Sequence, residues 1–540
     1  MKALKKIYCS IAILSLIVLA ACGGGGTNTS SNSSGGQSMF IGMVNPPVTF
    51  NTINTTDVAG QFIEKFMFDT FLDMDAPQSF TPKLAESFET TDNQNFTIKI
   101  HPDANWSDGK PVTADDAIFT LNLVANPKTE TSVGNYLTII DGLDANGKLA
   151  EGKTEIPSVV KVDDKTFTFK TKNPVDENLV KEQLGSKFMI LPKHVLGDVK
   201  PEDLSKDPFM QKPTVTNGPF KFTQYKKDQY VEFEANKDYY KGEPKLNKMF
   251  VKIMPAANIV AQLQTGELSM NAAGGIGKIA AQDFETVQKL SNVTTKFDKT
   301  FGYQTIMFNT QSENVGDAKI RQAIAYAINR QAIVDKLLKG QGEIVDGPYT
   351  SVSPYLDKES QKYTYDPEKA KQMLQDAGWD FNKPLNIIVP TGNKVREQSA
   401  DIITQDLEAI GLKVKTTTYD FPTLLATAKK GAYDIMFIGF TNTLDPDIST
   451  IYKTGGSSNY PKYSSKQTDE LLEAGKAEPD VEKRKKIYSE LQKLWNEDLP
   501  VFTLYSDNDF AAVSKKVEEG EPKVFGFHKD LQNWSLTGAN

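Results

Sequence analysis

Between residues 385 and 440 the apolar pattern switches repeatedly between strand and helix, and few folds accommodate that alternation. Residues 385–390 are a short apolar strand. Ala400, Ile403, Leu407 and Ile410 share one face of a helix over 397–410. Residues 412–418 read as a strand, 422–430 as a helix and 434–440 as a strongly apolar strand. The order β-α-β-α-β predicts a parallel sheet with right-handed crossovers. Upstream, 319–339 carries Ile320, Ile324, Ala327, Val334 and Leu338 near helical spacing, with Gly340 as the stop. A further helix starts at Asp366-Pro367 and ends at Gly378. In open α/β sheets ligands bind beyond the carboxyl ends of the strands. The loops in that place are 391–396 and 441–447, so Asn393, Thr441, Asn442, Thr443, Asp445 and Asp447 become candidate ligand contacts. Asp445-Pro446 also suits an ordinary turn.

The amino-terminal half reads differently. Residues 96–100 and 165–170 alternate as half-buried strands, and 107–110 and 217–220 are turns. Residues 220–222 and 230–233 look like strands of a hairpin region. Asp115 and Asp116 could pass for paired catalytic carboxylates. Thr113 three residues before Asp116 is instead the start of a helix with a capping box, where acids belong.

Charge and scarce residue types narrow the function. The formal charge is −8, and the first 21 residues hold three lysines and no acid, so the rest is more acidic still. That opposes binding to nucleic acid or polybasic attachment to lipid. His101, His194 and His528 are far apart, and Cys9 and Cys22 are the two cysteines. No metal site, catalytic residue or cofactor is expected from such an inventory.

Residues 1–21 have the charged start and short apolar core of a secretory signal. Leu19-Ala20-Ala21-Cys22 resembles a bacterial lipobox, so Cys22 is expected to carry lipid; ordinary cleavage near Ala21 is the plainer alternative. Residues 22–38 then form the lipidated cysteine and a flexible tether of small and polar residues. The expected location is the outer face of a bacterial cell membrane, with the chain lipid-anchored to it.

Several segments in fixed order resemble one family. They are 82–87 (PKLAES), 106–116 (WSDGKPVTADD), 190–194 (ILPKH), 218–220 (GPF), 263–267 (LQTGE), 320–324 (IRQAI) with 327–330 (AINR), and 365–370 (YDPEKA). The chain is similar to the extracellular solute-binding proteins, of oligopeptide- and dipeptide-binding type, that feed ABC importers. The resemblance places His194 in a structural motif. It implies an α/β, two-lobed periplasmic-binding-protein-like fold, the large three-domain variant of type II, with a hinge between the lobes. Lobe 1 is expected from 39–70, 211–300 and 506–540, with an inserted domain at 71–210, and lobe 2 from 301–505. The implied partners are a peptide ligand, a membrane permease and its ATPase subunits, with the protein itself a monomer and not an enzyme. The family's ligand-contacting stretches fall on 45–49, on Gly439, Phe440 and Thr441 with the following loop, and on 502–505. Pro47, Val48 and Tyr505 thereby join the candidates. Many relatives carry an acid three residues after the aromatic, where it pairs with the ligand's amine. Here Thr443 stands in that place, and Asp445 two residues on is the candidate replacement. The same fold could serve a peptide pheromone, an oligosaccharide or a nickel chelate. A secreted hydrolase using two carboxylates is the reading from another class.

Overall fold

The alternation at 385–440 is present. Strands Pro384–Pro390, Lys413–Tyr419 and Ile435–Thr441 are separated by helices Lys394–Ala409 and Phe421–Lys430. In this computed structural model, which describes residues 37–360 and 362–537, Pro384–Pro390 lies between the other two strands and parallel to both. Ile435 and Phe437 pack into the core on one face of the sheet, Met436 and Ile438 into the core on the other. A strand covered on both faces reads as a continuous apolar run, which is why 434–440 shows no alternation.

The full sheet has six strands, in the order Gly342–Glu343, Val501–Asp507, Gly302–Phe308, Ile435–Thr441, Pro384–Pro390, Lys413–Tyr419. Gly302–Phe308 runs antiparallel to both neighbours, so the sheet is mixed. The helix expected over 319–339 is two helices, Ala318–Ala327 and Arg330–Leu337. The break falls at Asn329, whose side chain accepts from the N–H of Ala332 at 3.0 Å while its own N–H donates to Asp406 at 2.9 Å. The apolar period runs through the break, but the cap starts a new helix.

A seven-stranded sheet forms the second body. Its order is Val293–Asp298, Asp509–Ser514, Met270–Asn271, Ser38–Met43, Lys248–Ile253, Tyr230–Ala235, Phe220–Lys226. A four-stranded sheet, Ala85–Thr90, Asn95–Ile100, Thr166–Lys170 and Val159–Lys161, shares one apolar core with it, from Met39 and Ile41 through Phe96 and Phe169 to Trp534. The capping box closes as expected: the Asp116 carboxylate accepts from the N–H of Thr113 at 2.9 Å and from its hydroxyl at 3.1 Å. It also accepts from the N–H of Lys193 at 2.9 Å, which accounts for its burial.

The chain passes between the two bodies twice. It leaves Val293–Asp298 for Gly302–Phe308 through residues 299–301, and it returns from Val501–Asp507 to Asp509–Ser514 through Asn508 alone. Ser506 and Asp507, expected in lobe 1, therefore complete a strand of the six-stranded sheet. Gln37 and Ser38, expected in the tether, belong to the folded body: Ser38 pairs with Lys248, and the Gln37 amide donates to the carbonyl of Leu536 at 3.1 Å. Cys22 and residues 1–36 lie outside the described residues.

Candidate functional site

Strand direction puts the carboxyl ends of Pro384–Pro390, Ile435–Thr441 and Val501–Asp507 on one edge of the six-stranded sheet, together with the start of Gly302–Phe308. That edge faces the seven-stranded body across a hollow of about 820 Å³, within the range of small-ligand sites, roughly 300–1,000 Å³. Val44, Gly274, Lys278 and Phe284 line it from one side, and Gln304, Arg396, Gly439 and Phe440 from the other.

The sheet splits at this place. Pro384–Pro390 pairs with its neighbour only at Ile387–Ile435 and Ile388–Met436. Residues 437–441 keep their antiparallel partner in Gly302–Phe308 but have no ladder partner on the other side among the described residues. A strand edge left open in this way presents backbone N–H and C=O groups that can pair with an extended chain.

Arg396 stands beside that edge. Its Nε donates to Gln304 Oε1 at 2.9 Å, and among the described residues its two terminal nitrogens meet no hydrogen-bonding or ionic partner. Burial pulls its pKa down, against the influence of Tyr505 and Asp507. The other charges on the wall are paired. Lys278 meets Asp507 at 3.1 Å, and Asp509 accepts from the N–H groups of Gly274 and Gly275 at 2.7 and 3.1 Å. Among the described residues one cation, Arg396, is thus left unpaired on the wall formed by the six-stranded sheet.

Gly439 makes this packing possible. A Cβ there would lie 2.6 Å from the Gln304 amide and 2.8 Å from Arg396 Nη2. Gly439→Ala is expected to push both side chains out of place while the strand survives. Ligand affinity measured by calorimetry should fall about tenfold, close to 1.4 kcal/mol, and an unchanged affinity would separate the site from this wall.

Four of the named candidates line the hollow, Asn393, Gly439, Phe440 and Thr441, and the expected stretch 45–49 reaches it through Asn45. Asn393 also caps helix Lys394–Ala409, accepting from the N–H of Arg396 at 3.1 Å, and so aims the arginine. The others do not line it. Pro47 is buried away from the hollow, its carbonyl accepting from the Tyr225 hydroxyl at 3.2 Å, and Val48 is 75% exposed. Tyr505 is buried under the sheet, its hydroxyl 3.4 Å from that of Ser399. The Asn442 side chain donates to the carbonyl of Pro348 at 2.6 Å, and the Thr443 hydroxyl to the carbonyl of Asp445 at 3.3 Å.

Asp445 is committed elsewhere. Its Oδ2 lies 2.8 Å from Arg484 Nη2, and Arg484 Nη1 reaches Asp176 at 3.2 Å. Arg484 and Asp176 are buried, at 3% and 2% side-chain exposure. Asp176 also accepts from the Tyr355 hydroxyl at 3.1 Å. Burial disfavours charge on Arg484, yet the carboxylates of Asp445 and Asp176 raise its pKa. One guanidinium faces two acids, so burial still raises Asp445 with Arg484 beside it. Glu182, in the π-helical turn Lys181–Lys187, then accepts from the N–H groups of Leu444 and Asp445, both at 3.2 Å. The loop after the open strand is therefore held by residues far away in the chain. Arg396 sat within a loop the sequence had singled out, but its role needed Gln304 and Gly439 beside it. Nothing in the sequence pairs Arg484 with Asp176. His194 is structural as expected, with Nε2 2.8 Å from Asp108. Among the described residues no three His, Cys, Asp or Glu gather as a metal site.

A family model described as bacterial extracellular solute-binding proteins, family 5, middle region, matches residues 79–462. The chain is 31% identical over 504 residues to the oligopeptide-binding protein AppA of Bacillus subtilis, covering 89% of this chain and 88% of the relative. The structure of that protein in complex with a nonapeptide superposes with a TM-score of 0.73 at 29% identity, over 93% of this chain and 99% of the other. The ABC transporter substrate-binding protein CtaP of Listeria monocytogenes superposes with a TM-score of 0.80 at 26% identity, over 93% and 99%. Heme-binding protein A of Haemophilus influenzae is 27% identical over 83% of this chain and 82% of its own length, so similarity at this level spans more than one ligand.

Proposed function

The chain belongs to family 5 of the bacterial extracellular solute-binding proteins, non-catalytic binding proteins with a mixed α/β periplasmic-binding-protein fold, and on that premise we propose that it captures oligopeptides between its lobes and delivers them to an ABC importer. The observation that carries the peptide reading is the open strand edge at 437–441 beside the free guanidinium of Arg396. A binder tolerant of sequence must recognise what all peptides share, and that is the backbone. The edge supplies backbone pairing, the roomy hollow leaves space for varied side chains and bridging water, and Arg396 offers a partner for a terminal carboxylate.

The same reading takes 39–70, 211–300 and 506–540 as lobe 1, 71–210 as its inserted domain and 301–505 as lobe 2, with Ser506 and Asp507 moved to lobe 2. The crossings at 299–301 and Asn508 are then the hinge. Closure around peptide is the state a permease and its ATPase subunits would recognise. Native mass spectrometry of protein purified from cells tests the ligand class. Adducts with the masses of peptides of five or more residues are expected; a sugar or metal chelate in their place would sink the peptide reading.

No helix among the described residues is long and apolar enough to cross a membrane. Attachment is assigned to lipid on Cys22, with residues 1–21 as the signal. Cys22→Ala is expected to leave the protein unprocessed or shed into the medium, and normally anchored mutant protein in a fractionation blot would refute the anchor.

A further inference from the structure

A second hollow of about 410 Å³ lies inside the lobe built on the seven-stranded sheet. Helix Val58–Met67 forms one wall and residues 523–528 another. Gly274 and Val524 line both this hollow and the ligand cleft, so the two spaces adjoin.

Its charges do not balance. Lys83 is fixed between Asp69 at 3.5 Å and Asp73 at 3.1 Å, and Lys187 pairs with Glu182 at 2.7 Å. Lys65, half-buried on the same wall, has no hydrogen bond or ion pair among the described residues. Burial, and then the charge of Lys83, pull its ammonium down to about 8. The adjacent carboxyl does not compensate, because burial pushes Glu64 up to about 8 and leaves it largely neutral at pH 7. The Thr55 hydroxyl donates to this carboxyl and offsets only part of that rise. Two further polar atoms of the lining, Thr52 Oγ1 and His528 Nε2, are buried without a hydrogen-bond partner. An unpaired cation in a confined space is costly, and a carboxylate there would give it a partner.

We propose that this hollow is a side compartment of the ligand cleft in which Lys65 binds the carboxylate of an acidic peptide side chain. The inference rests on the peptide reading and adds to it a preference for ligands containing Glu or Asp. Hexapeptide amides that carry one Glu, moved along an otherwise neutral sequence, are compared by calorimetry with their Gln twins. Amidation leaves the side chain as the sole carboxylate. At one position at least, the Glu peptide is expected to bind about tenfold or more tighter than its twin, as suits a charge-assisted hydrogen bond. In Lys65→Met, and in Lys65→Gln as a polar control, that ratio should collapse to below about threefold. Melting curves establish that both variants are folded. Equal binding of all twins by the natural protein, or a ratio that persists in Lys65→Met, overturns the compartment and leaves the peptide reading standing. If no peptide binds, glutarate serves as the probe. Binding to the natural protein and not to Lys65→Met upholds the carboxylate site while the peptide reading falls; binding to neither removes both.

Discussion

Arg484→Met is expected to lower the melting temperature by about 3–5 °C. Arg484 is the single cation between the acids Asp176 and Asp445, and both contacts are shielded from water. Removing one partner of a buried ion pair leaves an uncompensated charge and costs roughly 3–5 kcal/mol. A body of roughly 500 residues unfolds with an entropy near 1 kcal/mol/K, from about 2.1 cal/mol/K per residue, which converts that cost into the stated shift. Methionine keeps much of the side-chain volume, so the change tests charge more than packing. Arg484 Nε also donates to the carbonyl of Gly475 at 2.8 Å, a bond lost in the same variant. Adding Asp176→Asn and Asp445→Asn to Arg484→Met should restore part of the loss, because the stranded acids are then neutral. A melt unchanged by Arg484→Met would mean that water reaches the triad.

The triad also joins the two bodies. Asp176 follows the four-stranded sheet, whereas Arg484 and Asp445 belong with the six-stranded one. Glu182 adds a second tie by accepting from the loop at Leu444 and Asp445. Both ties span the two bodies, so under the proposed closure they add to the contacts a ligand makes across the cleft. A population that opens and closes is set by the sum of such differential contacts.

Legibility in the sequence followed the range of the interaction. The parallel strands and their helices could be read at 385–440 because each depends on neighbours three or four residues away. The capping box at Thr113 and Asp116 could be read for the same reason. The break at Asn329 was hidden, since apolar residues keep their period across it and the residue that ends the helix is a polar one with a cap to make. The antiparallel strand Gly302–Phe308 joins partners more than a hundred residues away, and no local pattern specifies that register. At the site, sheet topology located the segments after 385–390 and 434–440, where Asn393 and Thr441 line the hollow, and the family resemblance added Gly439 and Phe440 at the strand's end. It did not reveal which polar groups would be free. Asp445 looks available in sequence, and only its distance to Arg484 shows that it is not. Arg396 looks like one more surface arginine until Gly439 lets it lie against the open strand.

That difference between a free arginine and a committed aspartate predicts unequal recognition of a peptide's two ends. Amidating the carboxyl terminus of a well-bound peptide is expected to weaken binding about tenfold to hundredfold, the range of a hydrogen bond to a charged group, about 1.5–3 kcal/mol. Arg396→Gln should weaken binding of the free-acid peptide by a similar factor and abolish the difference between acid and amide. Acetylating the amino terminus should change affinity by less than about tenfold, because among the described residues no acid lining the cleft is free to meet it. The Thr443 hydroxyl is turned to the Asp445 carbonyl. Asp507 and Asp509 are taken by Lys278 and by two backbone N–H groups. Peptides of five or more residues should also bind better than dipeptides, since the open edge at 437–441 rewards each added backbone pair. Calorimetry with one peptide in its free, acetylated and amidated forms decides the matter. A hundredfold loss on acetylation, reproduced by Asp445→Asn, would mean that Asp445 leaves Arg484 for the ligand's amine and that the ends are read the other way round.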